Sequence, residues 1–235
     1  LMMNRVKIVS IEGNIGSGKS TFLKNLKTNL PSVDEKYKII FVDEPVTLWE
    51  NIKDANGKNM IEKFYENPKK YAFSFQIMAF TTRLIYLKKS INNALNNSEN
   101  NGKKIIIITE RSLHTDCYVF AELLKNQENI EDVCFQIYMQ LFNEFSLNYP
   151  INSLIYIDTT PEICYERIKT RSRSGEEIIS LDYLTECHYE HETYIHTKME
   201  RSNKIVIDGT FDVYENPDIL EEWLEIVKYC IDEII

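Results

Sequence analysis

The sequence predicts a three-layer α/β fold around a parallel sheet of about five strands. Three observations lead there. Short, non-alternating apolar runs recur at residues 6–11, 39–42, 105–108, 154–157 and 205–207, as expected for strands buried on both faces. Helical patterns separate them, giving a β-α-β-α rhythm. The first run leads into a glycine-rich turn and then a helix, and this turn holds three of the chain's seven glycines.

The first run is carried by Val6, Ile8, Val9 and Ile11. Gly13-Asn14-Ile15-Gly16-Ser17-Gly18-Lys19-Ser20 then fits the phosphate-binding pattern G-x-x-x-x-G-K-[ST], followed by Thr21. Residues 21–30 read as a helix with Phe22, Leu23, Leu26 and Leu30 on one side. Glycine N–H groups can wrap a di- or triphosphate because no Cβ blocks the approach, and the helix N-terminus adds partial positive charge. Lys19 supplies a point charge for the phosphates, and the Ser20 hydroxyl is placed to ligate Mg²⁺.

Ligands in open parallel sheets bind outside the carboxyl ends of the strands, so the residues after each later run matter. After the second run comes Asp43-Glu44-Pro45. Glu44 can take the proton of an attacking alcohol, with Asp43 competing for the role, and Pro45 holds Glu44 extended. After the third run come Glu110-Arg111-Ser112. Glu110 is placed to assist Mg²⁺, and Arg111 to offset charge on a transferring phosphoryl group. Asp158-Thr159 and Asp208-Gly209 follow the last two runs. Residues 92–102 are polar and Asn-rich and read as a mobile surface connection. Arg167, Arg171 and Arg173 form a local basic cluster, the first two at helical i, i+4 spacing.

The bulk properties narrow the function. The chain of 235 residues carries a net charge of −9, which argues against a nucleic-acid partner. No repeat or linker divides it, so residues 1–235 read as one domain. Five cysteines, an odd count, are widely spaced without a C-x-x-C and point to reduced thiols and a cytoplasmic setting. No signal peptide or membrane-spanning apolar stretch is evident. His191-Glu192-Thr193-Tyr194-Ile195-His196 has one residue too many for H-E-x-x-H, so His188, His191 and His196 read as packing or exposed residues rather than zinc ligands. Asn203-Lys204 lacks the Asp of an N-K-x-D guanine reader, against a GTPase switch.

Together the segment 11–21, Glu44-Pro45-Val46 with Trp49, Phe75-Gln76, Glu110-Arg111-Ser112 and residues 167–177 resemble the deoxynucleoside kinase family, with spacing preserved from about residue 6 to about residue 212. The resemblance implies a phosphate-loop kinase fold with an arginine lid, ATP and Mg²⁺ as donor and metal, and a homodimer. It implies phosphorylation of a deoxynucleoside 5′-hydroxyl, with Glu44 as base, Arg111 as its charged partner, and Lys19, Arg167, Arg171 and Arg173 on the phosphates. Tyr65 and Glu176 (with Glu177 a close second) would hold the sugar 3′-hydroxyl. Gln76 would read the base among Trp49, Phe75 and Phe120, and the loop from Asp208 through Phe211 to Asp212 would cradle the donor adenine. Arg83 and Asp116 mark relatives that accept deoxycytidine or purine deoxynucleosides over thymidine. Cys117 departs from the family's usual arginine at its position. The rival reading is a nucleoside monophosphate kinase, whose anionic acceptor needs arginine rather than a carboxylate base.

Overall fold

The computed structural model describes residues 5–31, 34–171, 175–199 and 204–235. Five strands, β1 (Val6–Glu12), β2 (Tyr37–Val42), β3 (Lys104–Glu110), β4 (Ser153–Asp158) and β5 (Lys204–Asp208), form one sheet in the order β2-β3-β1-β4-β5. Every neighbouring pair is parallel. The predicted three-layer α/β architecture is present, and each predicted run lies inside a strand.

Burial on both faces explains the unbroken apolar runs. Ile105 to Ile108 of β3 are all 0 % exposed. Ile106 and Ile108 pack with Phe22, Leu23 and Leu26 of α1 (Lys19–Asn29) and with Trp223 and Val227 of α10 (Pro217–Ile234). Ile105 and Ile107 face the other way, onto Leu87, Ile91 and Ala94 of α4 (Pro68–Asn96). Further along that second layer, Leu154 and Tyr156 of β4 pack against Tyr194 and Ile195 of α9 (Leu181–Thr197).

Further helices lie among the described residues. They are α2 (Val46–Asn51), α3 (Met60–Glu66), α5 (Leu113–Thr115), α6 (Glu122–Asn126), α7 (Asp132–Ser146) and α8 (Pro161–Arg171). Between α5 and α6 the chain makes a π-helical segment, Asp116–Ala121. Helix α3 opens with a reciprocal capping box: Asn59 Oδ1 accepts from Glu62 N, and Glu62 Oε2 accepts from Asn59 N.

One expectation is corrected. Residues 92–102 are not an unstructured connection, because α4 continues to Asn96 and a 3₁₀ turn, Ser98–Asn100, follows. Buried Ile91 and Ala94 extend the helix's core face beneath the sheet. Asn100 is itself buried; its Nδ2 donates to Ala94 O at 2.9 Å and its carbonyl accepts from Arg5 at 2.6 Å. Asn97 and Asn100 here satisfy backbone groups, while Asn92, Asn93, Asn96 and Asn101 are exposed.

Leu26, 0 % exposed between sheet and α10, anchors this layer. Leu26→Ala should cost about 2–5 kcal/mol by transfer and cavity terms, read as a lower midpoint in urea unfolding.

Candidate active site

The turn after β1 owes its shape to glycine at two points. At Gly13 (φ 147°) a Cβ would lie 2.7 Å from Ile157 O, and at Gly16 (φ 82°) 2.6 Å from Cys164 O. The turn runs directly into α1, whose N-cap is Gly18 and whose first N–H groups have no side-chain cap. That arrangement suits an anion. Asn14 turns inward, its Nδ2 donating to Leu184 O at 2.8 Å and its Oδ1 accepting from Ile15 N. Lys19 Nζ donates to Asn14 O at 2.6 Å. Burial, and then the charge of Arg111, pull the Lys19 ammonium down to about 7.

A cleft of about 810 Å³ opens beside this turn. Its walls bring together Ile15, Gly16, Ser17, Gly18, Lys19, Ser20 and Thr21 with Glu44, Trp49, Tyr65, Phe75, Gln76, Arg83, Glu110, Arg111, Asp116, Phe120, Arg167, Arg171, Glu176 and Phe211. Gly13 and Asn14 support the turn from behind rather than lining the cleft. Asp208 also stands away from it: its carboxylate accepts from Thr210 N at 2.9 Å and Thr210 Oγ1 at 2.6 Å, as a short acid after a strand does in closing a turn. Arg173 lies outside the described residues.

The charged centre is a chain of ion pairs. Arg83 is 5 % exposed and gives Nε to Asp116 at 2.8 Å, Nη2 to Asp116 at 3.2 Å and to Glu44 at 3.1 Å, and Nη1 to Glu110 O at 2.9 Å. Arg111 Nε approaches the same Glu44 oxygen at 3.2 Å, while its Nη1 donates to Gly13 O at 2.8 Å. The Arg111 guanidinium lies 4.8 Å from the centre of the Phe120 ring. Arg111 also sits at φ 65°, a left-handed backbone that costs a non-glycine residue about 1–3 kcal/mol. Burial favours neutral Glu44, but Arg111, Arg83 and Lys19 outweigh it and hold its pKa at about 2. Asp43, the alternative acid, faces outward and pairs with Lys27.

Beside this centre, Ser20 Oγ donates to Glu110 Oε1 at 2.7 Å. Gln76 is 2 % exposed, and its Oε1 has no hydrogen-bond partner among the described residues. Around it Phe75 stacks on Phe64 at 4.5 Å and meets Trp49 edge-on at 5.7 Å, while Trp49 Nε1 donates to Thr82 Oγ1 at 2.9 Å. An apolar slot with one unpaired amide oxygen is suited to a planar polar ring.

At the other rim Glu176 is buried and pairs with Arg171, whereas Glu177 is exposed and closes the turn at Gly175 N, 2.7 Å away. Tyr65 faces this rim, and burial, then Glu176, push its hydroxyl pKa up. Arg167 does more than line the cleft: it bonds the carbonyls of Ser17, Gly209, Thr210 and Phe211, tying the phosphate turn to the segment after β5.

The deoxynucleoside kinase family profile matches residues 9–231. The chain belongs to the deoxynucleoside kinase family. It is 33 % identical to deoxycytidine kinase of Homo sapiens over 95 % of this chain and 90 % of the relative. It is 35 % identical to a probable deoxycytidine kinase of Fowlpox virus over 87 % and 80 %. A mitochondrial deoxyguanosine kinase of Xenopus laevis shares 30 % over 83 % and 75 %.

In this kinase the departure at Cys117 has a simple placement. The residue is 0 % exposed and points into the core against Met139, with Phe80, Tyr138 and Phe142 around it. Only Asp116 and Phe120, its neighbours on the π-helical segment, reach the cleft. Sequence reading took His191 as a packing or exposed residue and missed the 3.3 Å contact of this fully buried ring with Arg111. It also missed Tyr183, packed edge-on to Tyr65 at 6.2 Å and lining the cleft. Neither lies in a recognisable motif. Of the two other histidines on this helix, His196 pairs with Glu192 on the surface. His188 is half-buried, with ligand atoms of Asp158 and Glu192 inside 4.8 Å.

Glu44 has a folded pKa below the ordinary 4.5, so its pairing stabilises the fold fully above pH 4.5 and loses that effect as pH falls toward 2. Glu44→Gln removes this linkage. Urea unfolding at stepped pH should show wild-type stability falling more steeply than the variant's between about pH 5 and pH 3.

Proposed function

We propose that the kinase transfers the γ-phosphoryl group of ATP to the 5′-hydroxyl of a deoxynucleoside, yielding the 5′-monophosphate and ADP in nucleotide salvage. The observation that carries the reading is Glu44: an ionised carboxylate fixed by two arginines in the same cleft as an uncapped phosphate turn. An acceptor alcohol needs such a base, whereas an acceptor monophosphate would be repelled by it. This favours nucleoside over monophosphate as acceptor.

The 5′-oxygen attacks the γ-phosphorus as the bond to the β-bridging oxygen breaks, and Glu44 takes the hydroxyl proton. A pKa near 2 makes Glu44 a weak base at rest, far from the value that serves general-base catalysis best. The anionic triphosphate neutralises Lys19 and Arg111 in part, which raises Glu44 toward a useful range. Lys19, Arg171 and Arg173 hold the phosphates, Arg167 fixes the turn that binds them, and Arg111 offsets charge on the transferring group. Ser20 and Glu110 offer the hard oxygen donors that Mg²⁺ takes. When bound, Mg²⁺ would neutralise charge on the phosphate oxygens.

Tyr65 and Glu176 hold the sugar 3′-hydroxyl, and Gln76 reads the base between Trp49, Phe75 and Phe120. Asp208 organises the loop behind the donor adenine, with Phe211 as the contacting residue. The Arg83 fork is locked by Asp116, Glu44 and Glu110 O, so it cannot swing aside for a thymine methyl group. Deoxycytidine and purine deoxynucleosides are therefore favoured.

The chain works as one domain in a cytoplasmic setting, supported by five unpaired cysteines; no described helix is long and apolar enough to cross a membrane. It assembles as a homodimer through α4 and α7, supported by exposed Ile85 and Tyr86 on the former and Val133, Ile137 and Phe145 on the latter.

Glu44→Gln should fold normally yet lose about 10²–10⁴-fold in kcat, and turnover near wild type in a coupled ADP-release assay would sink the base assignment. Across the four natural deoxynucleosides, thymidine should give the lowest kcat/KM, by at least about tenfold against the best substrate. A thymidine value at the top of the series would remove Arg83 and Asp116 from specificity.

A further inference from the structure

His191 is a buried titratable group that the catalytic scheme above leaves without a role. It is 0 % exposed on α9 and enclosed on every side. Its Nδ1 lies 2.6 Å from Cys187 O, its Nε2 3.3 Å from Arg111 Nη1, its ring stacks on Tyr156 at 6.2 Å and meets Phe120 edge-on at 5.8 Å. A carbonyl only accepts, so Nδ1 carries the proton. Nε2 then presents its lone pair, and a guanidinium only donates. One state of the ring therefore satisfies both neighbours: neutral, with hydrogen on Nδ1. A protonated ring would set donor against donor beside Arg111.

We propose that His191 is a positioning residue for Arg111, accepting a hydrogen bond that holds the guanidinium against Glu44 and the transferring phosphoryl group. This rests on the reading of Arg111 given above. Arg111 needs such support because its backbone is strained at φ 65° and its side chain is shared between Gly13 O and Glu44. A carboxylate in place of His191 would also hold Arg111, but would neutralise charge meant for phosphate. A neutral acceptor fixes the orientation and leaves the charge intact. Burial, then Arg111 itself, push the His191 pKa well below the usual histidine range, which keeps the ring in this role.

Two substitutions separate the ring's two bonds. His191→Asn puts an amide near Nδ1, reaching Cys187 O but not Arg111. His191→Gln puts a carbonyl oxygen near Nε2, reaching Arg111. Positioning predicts about a 10²-fold fall in kcat for His191→Asn, with deoxynucleoside KM within about threefold of wild type, and recovery of most of that loss in His191→Gln. A packing role predicts the reverse order, or equal loss in both variants tracking thermal stability; either result, or wild-type kcat in His191→Asn, overturns the proposal. Arg111→Ala run alongside separates the two layers of inference. If it turns over normally, the reading of Arg111 has failed; if it is inactive while His191→Asn is not, only the assignment of His191 has. Imidazole ¹⁵N shifts of the wild-type protein need no variant to fold: a neutral Nδ1–H tautomer is expected from about pH 6 to pH 9, and an Nε2–H tautomer or a cation there overturns it.

Discussion

The Arg111 guanidinium joins three separate parts of the fold at one point. It bonds the Gly13 carbonyl after β1, the Glu44 carboxylate after β2 and the His191 ring on α9, and it does so from the end of β3. In a chain of net charge −9, a cation buried here does two things at once. It completes the carbonyl and carboxylate groups that would otherwise be stranded away from water, and it leaves positive potential where phosphate must come. The strained backbone at Arg111 is tolerated because so many partners fix the side chain.

From that point the rest of the cleft follows by pairing. Glu44 is ionised because Arg111 and Arg83 flank it, and Arg83 is held because Asp116 closes its other edge. Asp116 reaches inward from a π-helical segment that also carries Phe120 to the face of Arg111. Cys117, between them, is directed into the core. Breaking a buried pair leaves its partner charged and unsolvated, so the members of this chain depend on one another. In the apolar slot, the buried Gln76 amide oxygen has no partner among the described residues.

Much of this was legible from order along the chain. Unbroken β-branched runs such as residues 105–108 identify parallel strands, and a glycine turn between strand and helix identifies an anion site, because both signals are local and follow from backbone sterics. Residues 92–102 misled for the converse reason. Asparagine is a loop former when exposed, but Asn100 is buried and spends its amide on the helix end. Choices between neighbours, Asp43 against Glu44 and Glu176 against Glu177, rested on the family resemblance, because the members of each pair differ only in which side chain points into the cleft.

The sequence by itself determined the strands, the phosphate turn and the acid and arginine after β2 and β3, since each is set by residues within a few positions. Only the tertiary structure decided that Glu44, Arg83, Asp116, Arg111 and His191 form one connected chain, and that the packed His191 ring also meets Arg111. Those residues are separated by up to 147 positions along the sequence, from Glu44 to His191. A hydrogen bond between buried groups depends on direction and distance to a few tenths of an ångström, which no spacing along one chain can encode.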